Sequence, residues 1–204
     1  MNSTALIHHP AFLVALNELR PGVSVDLNTY FLLNFHPGFM EYCEKELSFS
    51  PEEFDRELEI WQGYVAGHVP QVFPGVREII DEQKRRGGLV CVASHSLKNN
   101  ILRDYHANGL PEPDMVFGWD LPRALRKPNP YALDEIMKAF SLASDEVLVI
   151  DDLKPGYDMA RQRSVPFAGA GWAYDVPEIR DYMRSNSPLY FEDPAELFRY
   201  LFEK

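Results

Sequence analysis

The sequence predicts an α/β protein: a mostly parallel sheet flanked by helices, preceded by an N-terminal helical lobe. Three observations carry this. From residue 75 onward, short apolar runs alternate with helical patterns, as right-handed crossovers between parallel strands require. The runs LVCVAS (89–94) and EVLVI (146–150) are unbroken rather than alternating, the pattern of strands covered on both faces. The first third of the chain reads as helix. The expected division is a helical lobe over residues 1–70 and a sheet domain over 71–204.

Residues 10–19 form a short apolar helix that ends before Arg20-Pro21-Gly22. Asp26 can cap a second helical stretch, LNTYFLLNF, broken near Pro37-Gly38 and resumed in GFMEYCEKEL. Ser50-Pro51-Glu52-Glu53 is a helix start: serine caps the free amides, proline suits the first helical position, and the acids face the positive end of the dipole. The helix that follows places Phe54, Leu58 and Trp61 on one face. After VPQVFPG come a helix (VREIIDEQKRRGG), the strand at 89–94 and a helix over 97–108. MVFG (115–118) is a short strand, residues 130–140 a helix and 146–150 a strand. GYDMARQR is helical, VPFAGA a strand, EIRDYMR a helix, and PLYFEDPAELFRYLF a strand and a closing helix. The lobe is expected to pack over the carboxyl edge of the sheet, where open α/β folds bind ligands.

Composition narrows the function classes. Of 204 residues, 46% are hydrophobic, enough for a sizeable core, and no stretch reaches the roughly 18 apolar residues of a membrane span. A formal net charge of −11 disfavours a broad nucleic-acid-binding face, although local donors and a cation can reverse the field within one pocket. Cys43 and Cys91 sit in unrelated contexts and make no disulfide framework. With no secretory-type N-terminus, these features predict a reduced, cytoplasmic protein with neither nucleic-acid nor membrane partners.

Asp151 and Asp152 follow the apolar run EVLVI directly, at the carboxyl end of a predicted strand. Buried carboxylates need pairing or coordination, and a hard cation such as Mg²⁺ would satisfy both; the plainer alternative is a solvated turn in which one acid caps the next helix. Asp158, further along, is either a weak third contributor or a surface acid. Lys127 lies in RALRKPNPY, where two prolines stiffen the backbone. It can neutralise a phosphate, hold clustered carboxylates, or be a loop lysine before a helix. Arg123 and Arg126 are nearby cations of undetermined direction. Ser94 ends the first strand and can donate to a phosphoryl oxygen, with His95 beside it as a substrate contact or a helix cap. The pair His8-His9 reads as helix entry rather than a metal site, and Trp61, Tyr64 and Phe73 as core rather than stacking platforms.

In order, VCVASHS, RKPNPYALDEI and VLVIDDLKPGYDMARQRSVPF resemble the second, third and fourth motifs of the haloacid dehalogenase-like hydrolase superfamily, in its phosphoglycolate phosphatase and β-phosphoglucomutase type of subgroup. VFPGVREIIDEQKRRGG is similar to the segment that returns from the cap to the core. The resemblance implies a Rossmann-like core with a helical cap, Mg²⁺ as cofactor, and a small phosphorylated metabolite as substrate. It implies Ser94 as the phosphate-contacting hydroxyl, Lys127 as the catalytic and phosphate-binding lysine, and Asp151 and Asp152 as metal ligands. In the family an aspartate on the first strand attacks phosphorus, and a second, two residues on, moves the proton.

That first motif, usually Asp-x-Asp-Gly-Thr, has no full match. MNSTALIHHPAF resembles the region just after the first aspartate, as though strand and nucleophile lay upstream, and about 70 residues from Thr4 to the returning FPG suit a cap. The alternative is VSVDLNTY, with Asp26 as nucleophile and Asn28 in place of the second acid. Its apolar run is short, it leaves only about 45 residues for the cap, and asparagine cannot shuttle a proton. An unrelated rearrangement is the third account. Lacking its central strand, the sheet would need a homo-oligomer partner or a swapped element to cover its edges. Three functions are therefore expected: a Mg²⁺-dependent phosphate-monoester phosphatase type of doubtful catalysis, a non-catalytic binding or regulatory protein, and, least favoured by the acidic pair with KPNP, a haloacid dehalogenase.

Overall fold

The computed structural model describes residues 1–203, which fall into two compact units, Met1–Gln71 and Val72–Lys204.

The first unit is helical. A π-helical turn, Thr4–His8, runs straight into α1 (His9–Leu19), followed by α2 (Leu27–Phe35), α3 (Phe39–Lys45) and α4 (Pro51–Ala66). The N-terminal turn was not legible in the sequence, where the first helix is expected only from residue 10. Phe12, Leu16, Tyr30, Cys43, Leu47 and Phe49 form its buried core, with the Phe12 ring edge-on to Phe39 at 5.1 Å. Helix α4 begins as its sequence dictates. The Glu53 amide donates to Ser50 Oγ at 3.3 Å, and the Ser50 amide donates to Glu53 Oε2 at 2.9 Å, a reciprocal capping box. Glu53 also accepts from Arg20 Nη2 at 2.9 Å, tying the start of α4 to the end of α1.

The histidine pair is consumed within this unit. His8 Nδ1 accepts from the Trp61 indole at 3.0 Å, and His9 Nε2 lies 2.7 Å from the Val25 carbonyl. Both are pins between helices and loops.

The second unit alternates as expected: α5 (Val76–Arg85), β1 (Cys91–Ala93), α6 (Lys98–Ala107), β2 (Met115–Phe117), α7 (Tyr131–Phe140), β3 (Val149–Asp151), α8 (Lys154–Arg161), β4 (Phe167–Ala170), α9 (Pro177–Asn186), β5 (Leu189–Phe191) and α10 (Pro194–Phe202). Short 3₁₀ turns at Arg123–Leu125 and Ser144–Glu146 flank α7. All strand pairs are parallel. Ile79 of α5 packs with Leu197 and Phe202 of α10, so the first and last helices of the unit share one apolar cluster.

The strands differ from expectation in length and continuity. They pair as two sheets, β1-β2 and β3-β4-β5, rather than one. Among the described residues β1 and β3 therefore each have a strand on one side only. Ile150, in the middle of an apolar run, is 40% exposed, and Leu89, expected inside the first strand, lies before it and is 36% exposed. The backbone just before β1 is tied to a side chain instead, with the Val90 amide donating to Asp114 Oδ2 at 2.7 Å.

Candidate functional site

Two loops of the second unit meet at the carboxyl ends of β1 and β3. The loop after β1 is clamped to the end of β2. The Ser94 amide donates to the Phe117 carbonyl at 2.9 Å, the Trp119 amide donates to the Ser96 carbonyl at 2.8 Å, and the Lys98 amide donates to Asp120 Oδ2 at 2.6 Å. That last bond caps α6, whose own N-cap residue, Leu97, supplies no side-chain acceptor. Gly118 makes the clamp possible: a β-carbon there would lie 2.6 Å from the Ser96 carbonyl oxygen. Within the loop, Ser94 Oγ accepts from the Ser96 amide at 3.1 Å, which leaves its hydroxyl proton free to donate outward.

At the end of β3, Asp151 is held from three directions. Lys127 Nζ donates to Oδ2 at 2.6 Å, both side chains being 13% exposed. The Leu153 amide donates to Oδ1 at 3.0 Å. The first turn of α8 closes over the carboxylate at Gly156, where a β-carbon would lie 2.3 Å from Asp151 Cγ. Burial pushes the Asp151 carboxyl up, but the charge and hydrogen bond of Lys127 and the Leu153 amide outweigh it and hold the group below its ordinary value. Asp152 has no such lysine bond. Burial, and then the adjacent Asp151 charge, push it well above the usual carboxylate range.

His95 joins the two loops. Its Nε2 lies 3.3 Å from the Lys127 carbonyl oxygen, and its ring meets Trp119 edge-on at 5.7 Å. Desolvation of the ring and the neighbouring Lys127 charge push His95 down to about 4, even though the residue keeps a solvent-exposed edge. It is therefore a neutral imidazole near pH 7. Over the Trp119 ring, 3.8 Å from its centroid, sits the Arg126 guanidinium.

Ser94 and His95 thus follow β1, Asp151 closes β3 with Asp152 directly after it, and Lys127, in the loop before α7, bonds Asp151 and offers the carbonyl that His95 approaches. Asp26 belongs to the helical unit, where it caps α2 by accepting from the Thr29 amide at 2.8 Å. Asp158 is engaged by Lys154 one helical turn away. Sequence reasoning did not single out Trp119 or the two close-approach glycines. A glycine at the third residue of a helix that follows an acidic strand end was the available signal for Gly156.

A cation can be tested against this donor set. Two half-buried carboxylates side by side, one held ionised and one resisting ionisation, are an arrangement that a divalent cation would relieve. Oxygen-only donors suit Mg²⁺, which binds one or two carboxylates and keeps its other positions for water or phosphate oxygens. Among the described residues no third His, Cys, Asp or Glu joins the pair, so the residues present fit that two-carboxylate mode and not an all-protein cage.

Residues 26–170 match the sequence pattern of the haloacid dehalogenase-like hydrolase family. A phosphoglycolate phosphatase of Mesorhizobium japonicum is 22% identical over 154 residues, covering 74% of this chain and 68% of that protein. Among solved structures, a predicted phosphoglycolate phosphatase from Haemophilus somnus superposes with a TM-score of 0.78 at 17% identity, covering 98% of this chain and 92% of that one. CbbY from Rhodobacter sphaeroides, solved in complex with xylulose-1,5-bisphosphate, superposes with a TM-score of 0.74 at 19% identity, covering 93% of this chain and 88% of that one. At these identities the structural likeness shows the fold: an α/β unit with parallel strands accompanied by helices.

Proposed function

The chain belongs to the haloacid dehalogenase-like hydrolase family, and on that premise we propose that the second unit binds a small phosphorylated metabolite together with Mg²⁺, as the phosphate- and metal-holding part of a phosphate-monoester hydrolase site. One observation carries the reading: the Lys127–Asp151 bond of 2.6 Å at the carboxyl end of β3, with Asp152 beside it. A lysine and paired carboxylates at a strand end make a site of mixed sign, suited to a cation and an anion bound together. The two-anion molecules attached to the relatives' names, phosphoglycolate and xylulose-1,5-bisphosphate, support a small phosphorylated substrate.

Each residue has a definable task. Ser94 donates its free hydroxyl proton to a phosphoryl oxygen, and the neutral His95 shapes the pocket without adding charge. Lys127 offsets negative charge on the phosphoryl group while keeping Asp151 oriented. Asp151 and Asp152 would hold Mg²⁺, which when bound supplies charge neutralisation at the phosphoryl oxygens. The helical unit serves as the cap over residues 1–70, and the core spans 71–204; the protein works in the cytoplasm.

A second reading, a binding or regulatory protein without turnover, is favoured by a specific observation: among the described residues no further acid gathers with Asp151 and Asp152 to attack phosphorus. Mg²⁺-dependent release of phosphate from p-nitrophenyl phosphate, in the wild type and in Asp152→Asn, separates the two. Metal-dependent turnover lost in the variant supports the hydrolase. Absence of turnover in a folded sample that still binds Mg²⁺ and phosphate supports the binding protein. Failure to bind either ligand contradicts both.

A further inference from the structure

β1 and β3 fall in separate sheets, so among the described residues no backbone ladder sets the spacing between the Ser94 loop and the acidic end of β3. The loop before α7 ties the two together, and it is held by its carbonyls. The Lys127 carbonyl oxygen lies 3.3 Å from Nε2 of His95, on the loop after β1. The next carbonyl, that of Pro128, accepts at 2.7 Å from Nε2 of Gln162, the residue that ends α8. Arg163 then donates to both carboxylate oxygens of Asp134 on α7, at 2.5 and 2.8 Å. Two consecutive peptide groups are thus gripped from two elements, one following β1 and the other following β3.

Trp119 backs the grip on Lys127. Its ring takes the edge of His95 at 5.7 Å, and it carries the guanidinium of Arg126, the residue before Lys127, 3.8 Å from its centroid. Lys127 is then held at both ends, by its carbonyl at His95 and by Nζ, which donates to Asp151 at 2.6 Å. A lysine stem is flexible, so its ammonium keeps one place only if its backbone is fixed. A carbonyl only accepts, so Nε2 of His95 carries the proton of their bond.

We infer that His95 is a positioning residue of the phosphate site: by donating to the Lys127 carbonyl it sets where the lysine ammonium stands against Asp151. It acts through the lysine backbone and not by touching the ligand. This rests on the phosphate reading above and adds to it the bond that keeps the loop after β1 in step with the end of β3.

Two readouts test it, the first without ligand. In NMR proton–carbon correlations of the lysine ε-methylenes, the Lys127 signal is assigned by its loss in Lys127→Arg, and in the wild type it is expected to stand apart from those of the exposed lysines. His95→Leu, which keeps bulk and removes the donor, is expected to move it toward them. His95→Gln, whose amide N–H can reach the same carbonyl, is expected to restore most of its position. In calorimetric titrations with Mg²⁺ present, orthophosphate affinity is expected to fall about fivefold in His95→Leu, the increment of one hydrogen bond, and to stay within about twofold of wild type in His95→Gln. Thermal melts of each variant confirm folding. A Lys127 signal indifferent to His95→Leu, or moved equally by His95→Gln, overturns the positioning role while the phosphate reading stands. Affinity lost alike in both variants, with the Lys127 signal restored in His95→Gln, assigns His95 a direct contact with the anion and also overturns it. A wild type that binds no orthophosphate removes the phosphate reading, and with it any role of His95 in such a site, even where the Lys127 signal responds as expected.

Discussion

Lys127 Nζ and Asp151 Oδ2 lie 2.6 Å apart although 24 residues separate them in sequence. One residue comes from the proline-stiffened loop before α7 and the other from the end of β3, so this bond sets the geometry between two elements that carry the site. Neither side chain is more than 13% exposed, so the pair has little water to replace a lost partner.

Removing the lysine alone should therefore be costly. Lys127→Met is expected to destabilise the protein by about 3–5 kcal/mol, because it leaves a buried carboxylate without its cation. Replacing both partners, Lys127→Met with Asp151→Leu, should restore most of that loss while abolishing phosphate binding. Urea denaturation of the single and double variants checks this. A double variant no more stable than the single would show that the pair is not what the lysine supports.

Gly156 should resist even the smallest side chain. A β-carbon there would meet Asp151 at 2.3 Å. Gly156→Ala is expected to cost about 1–3 kcal/mol by overpacking and to weaken Mg²⁺ binding by displacing the carboxylate. Stability without effect on Mg²⁺ affinity, or the reverse, would separate packing from the site.

The helical unit carries its own pH dependence. Glu57 is 8% exposed, no cation pairs with it among the described residues, and burial raises its carboxyl from 4.5 to about 7. Because the folded value is the higher, the neutral acid favours the fold fully below pH 4.5, and this contribution is lost as pH rises to about 7. The change amounts to about 3 kcal/mol. Glu57→Gln should flatten this slope, as read by urea denaturation at pH 5 and pH 8. An unchanged slope would place the dependence elsewhere.

His95 should stay neutral through the physiological range. With desolvation and Lys127 pushing it down to about 4, its ring resonances are expected to show no titration between pH 5.5 and 8 by NMR. A midpoint near 6.5, the ordinary histidine value, would mean that the ring is solvated and free of Lys127.

Much of this was readable in the residues. Periodicity located the helices, and two residues singled out in the sequence, the lysine of RKPNP and the first acid after EVLVI, are bonded to one another. What the residues did not reveal depends on distant partners. The orientation of Arg126 depends on Trp119, a ring seven positions away whose role has no local pattern. The exposure of Ile150 could not be read because an apolar run specifies burial only if both faces of its strand are covered, which depends on packing by elements distant in sequence. Asp26 shows the converse: the same acid fits a helix cap and a nucleophile on paper, and its hydrogen bond to the Thr29 amide occupies it as a cap.

The claim that Asp151, Asp152, Lys127 and Ser94 form one site for Mg²⁺ and phosphate is tested most directly by titrating Mg²⁺ into the protein calorimetrically, with and without saturating orthophosphate. Cation and anion sharing a site must each raise the other's affinity by the same factor. The expected result is tighter Mg²⁺ binding in the presence of orthophosphate, abolished in Asp152→Asn. Mg²⁺ binding that is indifferent to orthophosphate, or that survives Asp152→Asn unchanged, would contradict it.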